Sequence, residues 1–272
     1  MSEEQSPDFP EYDNKTTPVW DNIAEWWDTT IGDGNAFQDY LIEPSQERLL
    51  DLKPGERVLD IACGAGRFTR RMASKDVSIF AFDLSENFID LAKKRTTEKA
   101  DQIEYRVLNA TDKAAMLELG KHEFDAAVCT MAIMDMSSIT PMISALRDLL
   151  KPRGRFVFSI VHPAFNSGTA RLIAEEVYRD GDLHAETGIK LTEYSSPFMH
   201  QGIGIPGQSE PQHFFHRPIS LLFNTFFSFG FILDGIEEPT MPEKLADTRI
   251  SPLNWVKLPQ IPPVLVARMK LI

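Results

Sequence analysis

Two short segments combine acidic residues with glycines in a spacing that suits the binding of a ribose-bearing molecule. Asp60 lies near the end of an apolar run, and Gly64 and Gly66 follow it just before a predicted helix. Glycines let the backbone bend tightly and approach a ligand without side-chain interference. Asp83 closes the next apolar run about 20 residues later, where a carboxylate can accept the hydroxyl protons of a ribose.

The charge of this turn discriminates between two kinds of cofactor. A dinucleotide-binding turn has a third glycine, but Thr69 stands at that position. Asp60 would repel a pyrophosphate, whereas it suits a ligand that carries an ammonium group. S-adenosylmethionine has an amino-acid tail, a sulfonium and no phosphate, so the turn favours this cofactor. An NAD-dependent oxidoreductase and a non-catalytic cofactor-binding protein are the alternatives.

The hydrophobic pattern around these residues alternates between the periods of strands and helices. Apolar strand-like runs cover residues 57–62, 77–83, 103–108, 124–131, 155–161, 231–237 and 264–271. Helical periodicity covers residues 67–74, 86–100, 112–119, 138–150 and 218–229. Such alternation predicts right-handed crossovers and a parallel sheet with helices on both faces, which is a three-layer α/β sandwich.

Three segments depart from this alternation. Residues 1–17 are rich in acidic residues, Pro and Ser and predict a mobile tail, followed by a single domain over residues 18–272. Residues 18–52 predict helices with an aromatic stripe that includes Trp27, and they could close over the cofactor as a lid. Residues 164–217 have weak periodicity, so we interpret them as an insertion that caps the sheet's edge and lines the acceptor site.

The motifs in this order resemble the class I, Rossmann-like methyltransferases that use S-adenosylmethionine. Asp60 to Gly66 is similar to the family's first motif, and Asp83 to its second. Asn109-Ala110 stands where the family usually has Asp-Ala, and the strand that starts at Phe124-Asp125 is similar to its fourth. The resemblance implies a seven-stranded, mostly parallel sheet whose last strand is antiparallel. It also implies cofactor contacts from Asp60, Ala62, Cys63, Gly64, Gly66, Asp83, Leu84, Asn109, Ala110, Thr130 and Met131.

A later segment is similar to a subgroup related to the ubiquinone and menaquinone methyltransferases. His216-Arg217-Pro218-Ile219-Ser220 and Glu237-Glu238-Pro239 carry this likeness. It implies a small-molecule methyl acceptor, and S-adenosylhomocysteine as the product. Which atom of the acceptor takes the methyl group is open.

Several side chains near the sheet's carboxyl edge are candidates for acceptor chemistry. His162, His213 and His216 are candidate general bases, although each could instead shape the pocket or bond the backbone. Trp27, His162, His216 and Arg217 are candidate acceptor contacts. Arg217 could bind an anionic group or pair with a surface acid.

Composition restricts the partners and the location. The 272 residues carry a net charge of −12, so a nucleic-acid partner is not expected. Two cysteines, Cys63 and Cys129, and no closely spaced Cys/His set argue against a metal site and fit a reducing cytoplasm. No apolar run is long enough to span a membrane. The oligomeric state does not follow from the sequence.

Overall fold

The computed structural model describes residues 5–32, 34–245 and 253–272. Its centre is a seven-stranded sheet in the order β3-β2-β1-β4-β5-β11-β10. The sheet strands are β1 (Arg57–Ile61), β2 (Ser78–Asp83), β3 (Ile103–Val107), β4 (Phe124–Thr130), β5 (Leu150–Val161), β10 (Phe231–Glu237) and β11 (Val264–Leu271).

The direction of the strands agrees with the predicted sheet. β1, β2, β3, β4 and β5 pair in parallel. The last strand, β11, is antiparallel to both β5 and β10. The prediction of a seven-stranded, mostly parallel sheet with an antiparallel last strand is therefore confirmed.

Helices cover both faces of the sheet, as the alternation of periods predicted. They are α1 (Thr16–Ile31), α2 (Glu43–Leu50), α3 (Arg67–Ala73), α4 (Glu86–Arg95), α5 (Lys113–Leu117), α6 (Thr140–Leu149) and α7 (Ile219–Ser228). Side chains of α6 and α7 join Leu59 and Phe158 in one buried cluster. Side chains of α2 and α3 join Val58 and Val128 in a second cluster on the opposite face. Because β1 and β4 lie between two apolar layers, nearly all their residues are buried.

The segment 164–217 contains two β-hairpins, which its weak periodicity did not predict. β6 (Ala170–Arg179) pairs with β7 (Asp182–Leu191), and β8 (Phe198–Gly202) pairs with β9 (Gln212–His216). No residue of β6 or β7 is buried, so no buried face imposes apolar alternation on them.

The prediction of a mobile tail is wrong for the part of residues 1–17 that the structure describes; residues 1–4 lie outside it. Asp8 Oδ1 accepts hydrogen bonds from the amides of Ile139 and Thr140, at 2.7 and 3.1 Å. Asp13 accepts from the hydroxyls of Ser137 and Ser138. The short acidic side chain of Asp8 suits this role, because it satisfies amides at the start of α6 that have no partner within the helix.

Several element ends differ from the predicted ones. α4 ends at Arg95 rather than residue 100, and a separate 3₁₀ turn covers Ala100–Gln102. β5 begins at Leu150, before the predicted turn, and a bulge in its pairing with β4 accommodates Pro152 and Gly154. None of the helices in the described ranges is both long and apolar enough to cross a membrane.

Candidate active site

The turn between β1 and α3 opens a ligand-sized space at the carboxyl edge of the sheet. Ala62, Gly64 and Gly66 all have positive φ, at 55°, 54° and 73°. A Cβ atom on Gly66 would lie 2.5 Å from Tyr105 Oη, so both the conformation and the space require glycine there. The resulting cavity has a volume of about 980 Å³ and extends from this turn to the hairpin of β8 and β9.

Asp60 places a buried carboxyl group beside the turn. Its Oδ2 accepts a hydrogen bond of 2.6 Å from Thr69 Oγ1, while its Oδ1 has no partner in the parts of the chain that the structure describes. Thr69, the residue that replaces the third glycine, thus orients this carboxyl. Burial raises the pKa of Asp60 to about 7. An ammonium group beside Oδ1 would satisfy it and favour its charged form.

Asp83 connects the end of β2 to the glycine turn. Its Oδ2 accepts from the Gly64 amide at 2.9 Å, and its Oδ1 accepts from the Ser85 amide at 3.0 Å. A carboxylate has about four acceptor positions, so both oxygens can still accept ribose hydroxyls. Burial raises the pKa of Asp83 to about 6, above that of an exposed aspartate.

A narrow pocket beyond Asp83 contains the residues predicted to hold the adenine. Asn109 and Ala110 line it together with Phe82 and Leu108. Asn109 Oδ1 accepts from the Thr111 amide at 2.9 Å, which fixes the side chain and leaves one lone pair on that oxygen.

The structure brings nearly all predicted cofactor residues to one cavity system. Asp60, Ala62, Cys63, Gly64, Asp83, Leu84, Thr130 and Met131 line the large cavity, and Asn109 and Ala110 line the narrow pocket. Gly66 lines neither and shapes the turn. Burial raises the pKa of the Cys63 thiol, which therefore stays protonated and does not act as a nucleophile.

The other half of the cavity lies between α1 and the cap and is mostly apolar. Trp27 lines it from α1, and its ring would lie 2.9 Å from a Cβ atom on Gly204 of the cap. Ile203, Ile205 and Phe214 also line it. The predicted contact residue Trp27 therefore lies between α1 and the cap, and its indole nitrogen is buried without a hydrogen-bond partner among the described residues.

The three candidate histidine bases occupy different positions. His162 does not line the cavity: its Nδ1 accepts from the Ala164 amide and its Nε2 bonds Glu238 at 2.8 Å. Both ring nitrogens are engaged, so its predicted roles as base and acceptor contact are wrong. His213 also lies outside the cavity lining and contacts Gln201. His216 lines the cavity, but its Nε2 donates to the Tyr194 carbonyl at 2.8 Å.

Arg217 is a structural residue rather than an acceptor contact. Its guanidinium is buried, and its nitrogens donate to five main-chain carbonyls. The acceptors belong to Pro7, Ile133, Met136, Ser137 and Phe215. No N–H remains for a substrate anion, so that prediction is wrong.

Two cavity residues were missed at the level of sequence. Asp135 follows β4 in the run Met134-Asp135-Met136, where an isolated acid among apolar residues is a signal that could have identified it. His200 stacks on Phe214 with ring centroids 5.2 Å apart, and its Nδ1 is buried without a described partner. Phe198, His200 and Gly202 stand at every second position, a spacing that is typical of one face of a strand and could have indicated that His200 shares a face with Phe198. Within the described ranges, no group of three or more His, Cys, Asp or Glu side chains is placed to hold a metal ion.

The chain resembles known methyltransferases in both sequence and structure. Residues 58–154 match the family model described as a methyltransferase domain. A ubiquinone biosynthesis O-methyltransferase of Xanthomonas axonopodis pv. citri is 31% identical over 140 residues, which are 50% of this chain and 56% of that protein. The chain thus spans about half the length of the curated relatives it matches.

Solved structures extend the likeness to most of the chain. An S-adenosylmethionine-dependent methyltransferase from Mesorhizobium loti has a TM-score of 0.67 at 22% identity, over 88% of this chain and 99% of that one. One described as a putative S-adenosylmethionine-dependent methyltransferase from Listeria monocytogenes has a TM-score of 0.60 at 18% identity, over 84% and 97%. Residues 58–154 thus match a methyltransferase domain, and the fold of the chain is the one seen in class I, Rossmann-like methyltransferases.

Proposed function

We propose that this protein transfers a methyl group from S-adenosylmethionine to a small-molecule acceptor. The observation that carries the proposal is the division of one cavity into two halves. One half has buried carboxyl groups at strand ends, and the other lies under the cap and combines apolar and aromatic walls with a few polar side chains. The first suits a charged, ribose-bearing cofactor, and the second suits a small organic molecule.

The residues of the first half fit the cofactor by charge and by hydrogen bonding. Asp60 has a buried oxygen without a partner among the described residues, and this oxygen can bind an ammonium group. Asp83 can accept hydrogen bonds from the ribose hydroxyls, and Asn109 can accept one from the adenine amine. S-adenosylmethionine supplies a methyl group that its sulfonium already activates. The protein then has to bring the acceptor into line and exclude water, and positioning of this kind can contribute roughly 7–11 kcal/mol.

The alternative of an NAD-dependent oxidoreductase has less support. Asp60 is buried beside the glycine turn, and Thr69 holds its carboxyl there. A pyrophosphate at this turn would face that carboxyl, which disfavours a dinucleotide. A protein that binds the cofactor without turning over an acceptor is an outcome of the test below.

The acceptor is proposed to be a small molecule that enters under residues 164–217. The cap residues Ile203, Ile205 and Phe214 line the second half of the cavity, which supports this location. The acidic surface argues against a nucleic-acid acceptor. We also propose a cytoplasmic location, which the two cysteines support because neither forms a disulfide.

Calorimetry with S-adenosylmethionine tests the cofactor assignment. Asp83→Ala is expected to weaken binding about 100-fold or more, because each hydrogen bond to a carboxylate contributes about 1.5–3 kcal/mol. Asp83→Asn, which keeps one acceptor oxygen, should lose less. Asp101→Ala, an exposed acid near the start of β3, is the matched control and should bind normally. Unchanged affinity in Asp83→Ala, or binding of NADH by the wild-type protein in a fluorescence titration, would contradict the proposal.

A screen of small metabolites with detection of S-adenosylhomocysteine tests the transfer itself. Turnover of at least one acceptor is expected from the wild-type protein and not from Asp83→Ala. Tight cofactor binding without turnover of any acceptor would favour the non-catalytic alternative.

A further inference from the structure

Asp135 lies where the two halves of the cavity meet. It belongs to a 3₁₀ turn, Ile133–Asp135, that follows β4, and it lines both the narrow adenine-side pocket and the large cavity. The end of the same strand, at Thr130 and Met131, also lines the large cavity. Asp135 is therefore beside both the proposed cofactor site and the proposed acceptor site.

A chain of amide side chains from the cap holds one oxygen of this carboxyl. Gln212 Nε2 donates to Asp135 Oδ1 at 3.0 Å, and Gln208 Nε2 donates to Gln212 Oε1 at 3.1 Å. Gln208 Oε1 in turn accepts from the Gly204 amide at 2.8 Å. Asp135 Oδ2 has no hydrogen-bond partner among the described residues, so it is the oxygen left for a ligand.

The turn that carries Asp135 is fixed on both sides. Arg217 donates from Nη1 to the Ile133 carbonyl at 3.2 Å and from Nη2 to the Met136 carbonyl at 2.8 Å. The two carbonyls lie on either side of Asp135 in the chain, and neither bond involves its carboxyl group. The side chain is thus positioned by its backbone and by Gln212 and is not neutralised by an ion pair.

The choice of an acid at this position has no structural explanation. An asparagine would accept the same hydrogen bond from Gln212 without the cost of burying an ionisable group. What a carboxylate adds is the ability to take a proton. Burial raises the pKa of Asp135 to about 8, so the group is a stronger base than an exposed aspartate.

Other charged groups near the turn leave this role to Asp135. His213, His216 and Arg217 come from β9 and the residue after it, and Asp8 and Asp13 come from the N-terminal segment. His213 lies outside the cavity lining, the carboxyls of Asp8 and Asp13 bond the start of α6, and Arg217 bonds carbonyls. His216 lines the cavity with its Nε2 bonded to Tyr194.

We propose that Asp135 is the proton acceptor for a hydroxyl group on an uncharged, apolar methyl acceptor, and that Gln212 positions it. The inference rests on the proposed methyl transfer. The acceptor O–H bond breaks and its proton goes to Asp135 Oδ2. The oxygen lone pair forms the bond to the methyl carbon while the carbon–sulfur bond breaks and its electron pair stays on sulfur. The products are a methyl ether, S-adenosylhomocysteine and a protonated Asp135, which returns the proton to solvent.

The walls of the cavity support an uncharged acceptor. Arg171, a cation that lines the cap side, donates from Nη1 to the carbonyls of Gly168 and Ala170. Burial lowers the pKa of His200 and of His216, so both imidazoles are neutral at pH 7. The aromatic rings of Trp27 and Phe214 provide apolar surface for a flat molecule.

Pairs of acceptors that differ only in the attacking atom test the role of Asp135. The probes are uncharged aromatic alcohols with their thiol analogues, beginning with 2-naphthol and 2-naphthalenethiol, and the readout is S-adenosylhomocysteine formed. A thiol ionises without a protein base, so Asp135→Asn should lower transfer to oxygen about 10²–10⁴-fold and transfer to sulfur less than about tenfold. Equal losses with both acceptors would show a structural role and overturn the proposal.

Gln212→Leu gives a second test that does not alter the carboxyl group. The wild-type kcat/KM with 2-naphthol should rise with pH through about 8, as Asp135 ionises. The Gln212 bond lowers the pKa of Asp135, so its loss should move this rise to higher pH. An unmoved profile would contradict the positioning role.

Two controls separate this inference from the proposed function. Glu210→Gln makes the same acid-to-amide change in the cap, outside the cavity lining, and should keep both activities. Because Asp135 lines the adenine-side pocket, the cofactor affinity of Asp135→Asn and Gln212→Leu is measured by calorimetry, and transfer to the two acceptors is compared at saturating S-adenosylmethionine. A wild-type protein that binds the cofactor but methylates none of the alcohols would overturn the acceptor class, whereas absence of cofactor binding would overturn the proposed function itself.

Discussion

The cofactor half and the acceptor half of the cavity are built in opposite ways. The cofactor half uses the ends of parallel strands, where Asp60 and Asp83 are held by bonds to residues within 20 positions of them. The acceptor half uses the cap, whose contacts with the core join residues far apart in the chain, such as Gln212 and Asp135. A cofactor shared by many enzymes suits the local, regular construction, whereas a particular acceptor suits a separate insertion.

The largest expected effect is on stability as a function of pH, and it involves both halves. Burial raises the pKa of Asp60, Asp83 and Asp135 to about 7, 6 and 8. Between pH 4 and pH 8 these three carboxyl groups bind more protons in the folded protein than in the unfolded chain, so their contribution to stability declines as pH rises through the folded pKa values. The lowered pKa values of His162, His200, His213 and His216 act in the opposite direction. Urea denaturation of the ligand-free protein should therefore show the decline, several kcal/mol from pH 5 to pH 8, as a difference between the wild-type protein and variants that lack these carboxyls.

The same titration distinguishes the two halves. Asp135→Asn should remove the part of the decline nearest pH 8, and Asp60→Asn the part nearest pH 7. Saturating S-adenosylmethionine should suppress the contribution of Asp60, since an ammonium group there favours the carboxylate. Variants whose free energy of unfolding changes with pH in parallel with that of the wild-type protein would be inconsistent with buried, protonated carboxyl groups.

A smaller loss of stability is expected when a methyl group is added to a glycine in the turn of the cofactor half. Gly66→Ala combines a φ of +73° with a Cβ position 2.5 Å from Tyr105 Oη. It should reduce the free energy of unfolding by about 2–4 kcal/mol, from the left-handed backbone and the close contact together. Gly55→Ala also has a positive φ but no atom within 4 Å, so thermal denaturation should show a smaller loss. Equal losses would mean that space at the turn is not limiting.

In the acceptor half, the corresponding glycine-to-alanine substitution at Gly168 should affect turnover rather than stability. A Cβ atom on Gly168 would lie 2.4 Å from the His200 ring, which would have to move within the cavity. Gly168→Ala should raise the KM for the acceptor on the order of tenfold, a 1.4 kcal/mol effect, and leave cofactor affinity unchanged. Gly188→Ala, in the other hairpin, meets only Ile173 at 3.8 Å and is the control. Weaker cofactor binding by Gly168→Ala would contradict the view that the two halves act independently.

The smallest effect is expected where α1 meets α4 beside the cofactor half. Arg95 Nε pairs with Asp28 at 2.5 Å, and both side chains are partly accessible to solvent. A pair of this kind contributes about 0.2–1 kcal/mol, so Arg95→Gln should weaken cofactor binding only a few-fold in calorimetry. A loss above tenfold would show that this pair holds α1 in place as a lid.

The contrast between the halves also explains what the sequence could predict. The parallel sheet with helices on both faces followed from alternating periods, and Asp60 and Asp83 followed from their positions at strand ends. The count of seven strands and the place of Asn109 came from the resemblance to the methyltransferase motifs. The cap hairpins did not, because β6 and β7 contain no buried residue and β9 is buried on both sides, so neither pattern alternates. His162 and Arg217 were misread because Glu238 and four distant carbonyls, which are among their hydrogen-bond partners, are visible only in three dimensions.

The bonds made by Arg217 have a consequence for the order in which the chain acquires its structure during synthesis. Its guanidinium binds the carbonyl of Pro7, so the N-terminal segment cannot take its final place until residue 217 has left the ribosome. At a synthesis rate of ~5–20 residues per second, the segment waits roughly 10–40 s. Meanwhile the strands from β1 to β5 can associate before this bond forms. A nascent chain truncated before residue 217 would lack the side chain that joins the N-terminal segment to the turn of Asp135.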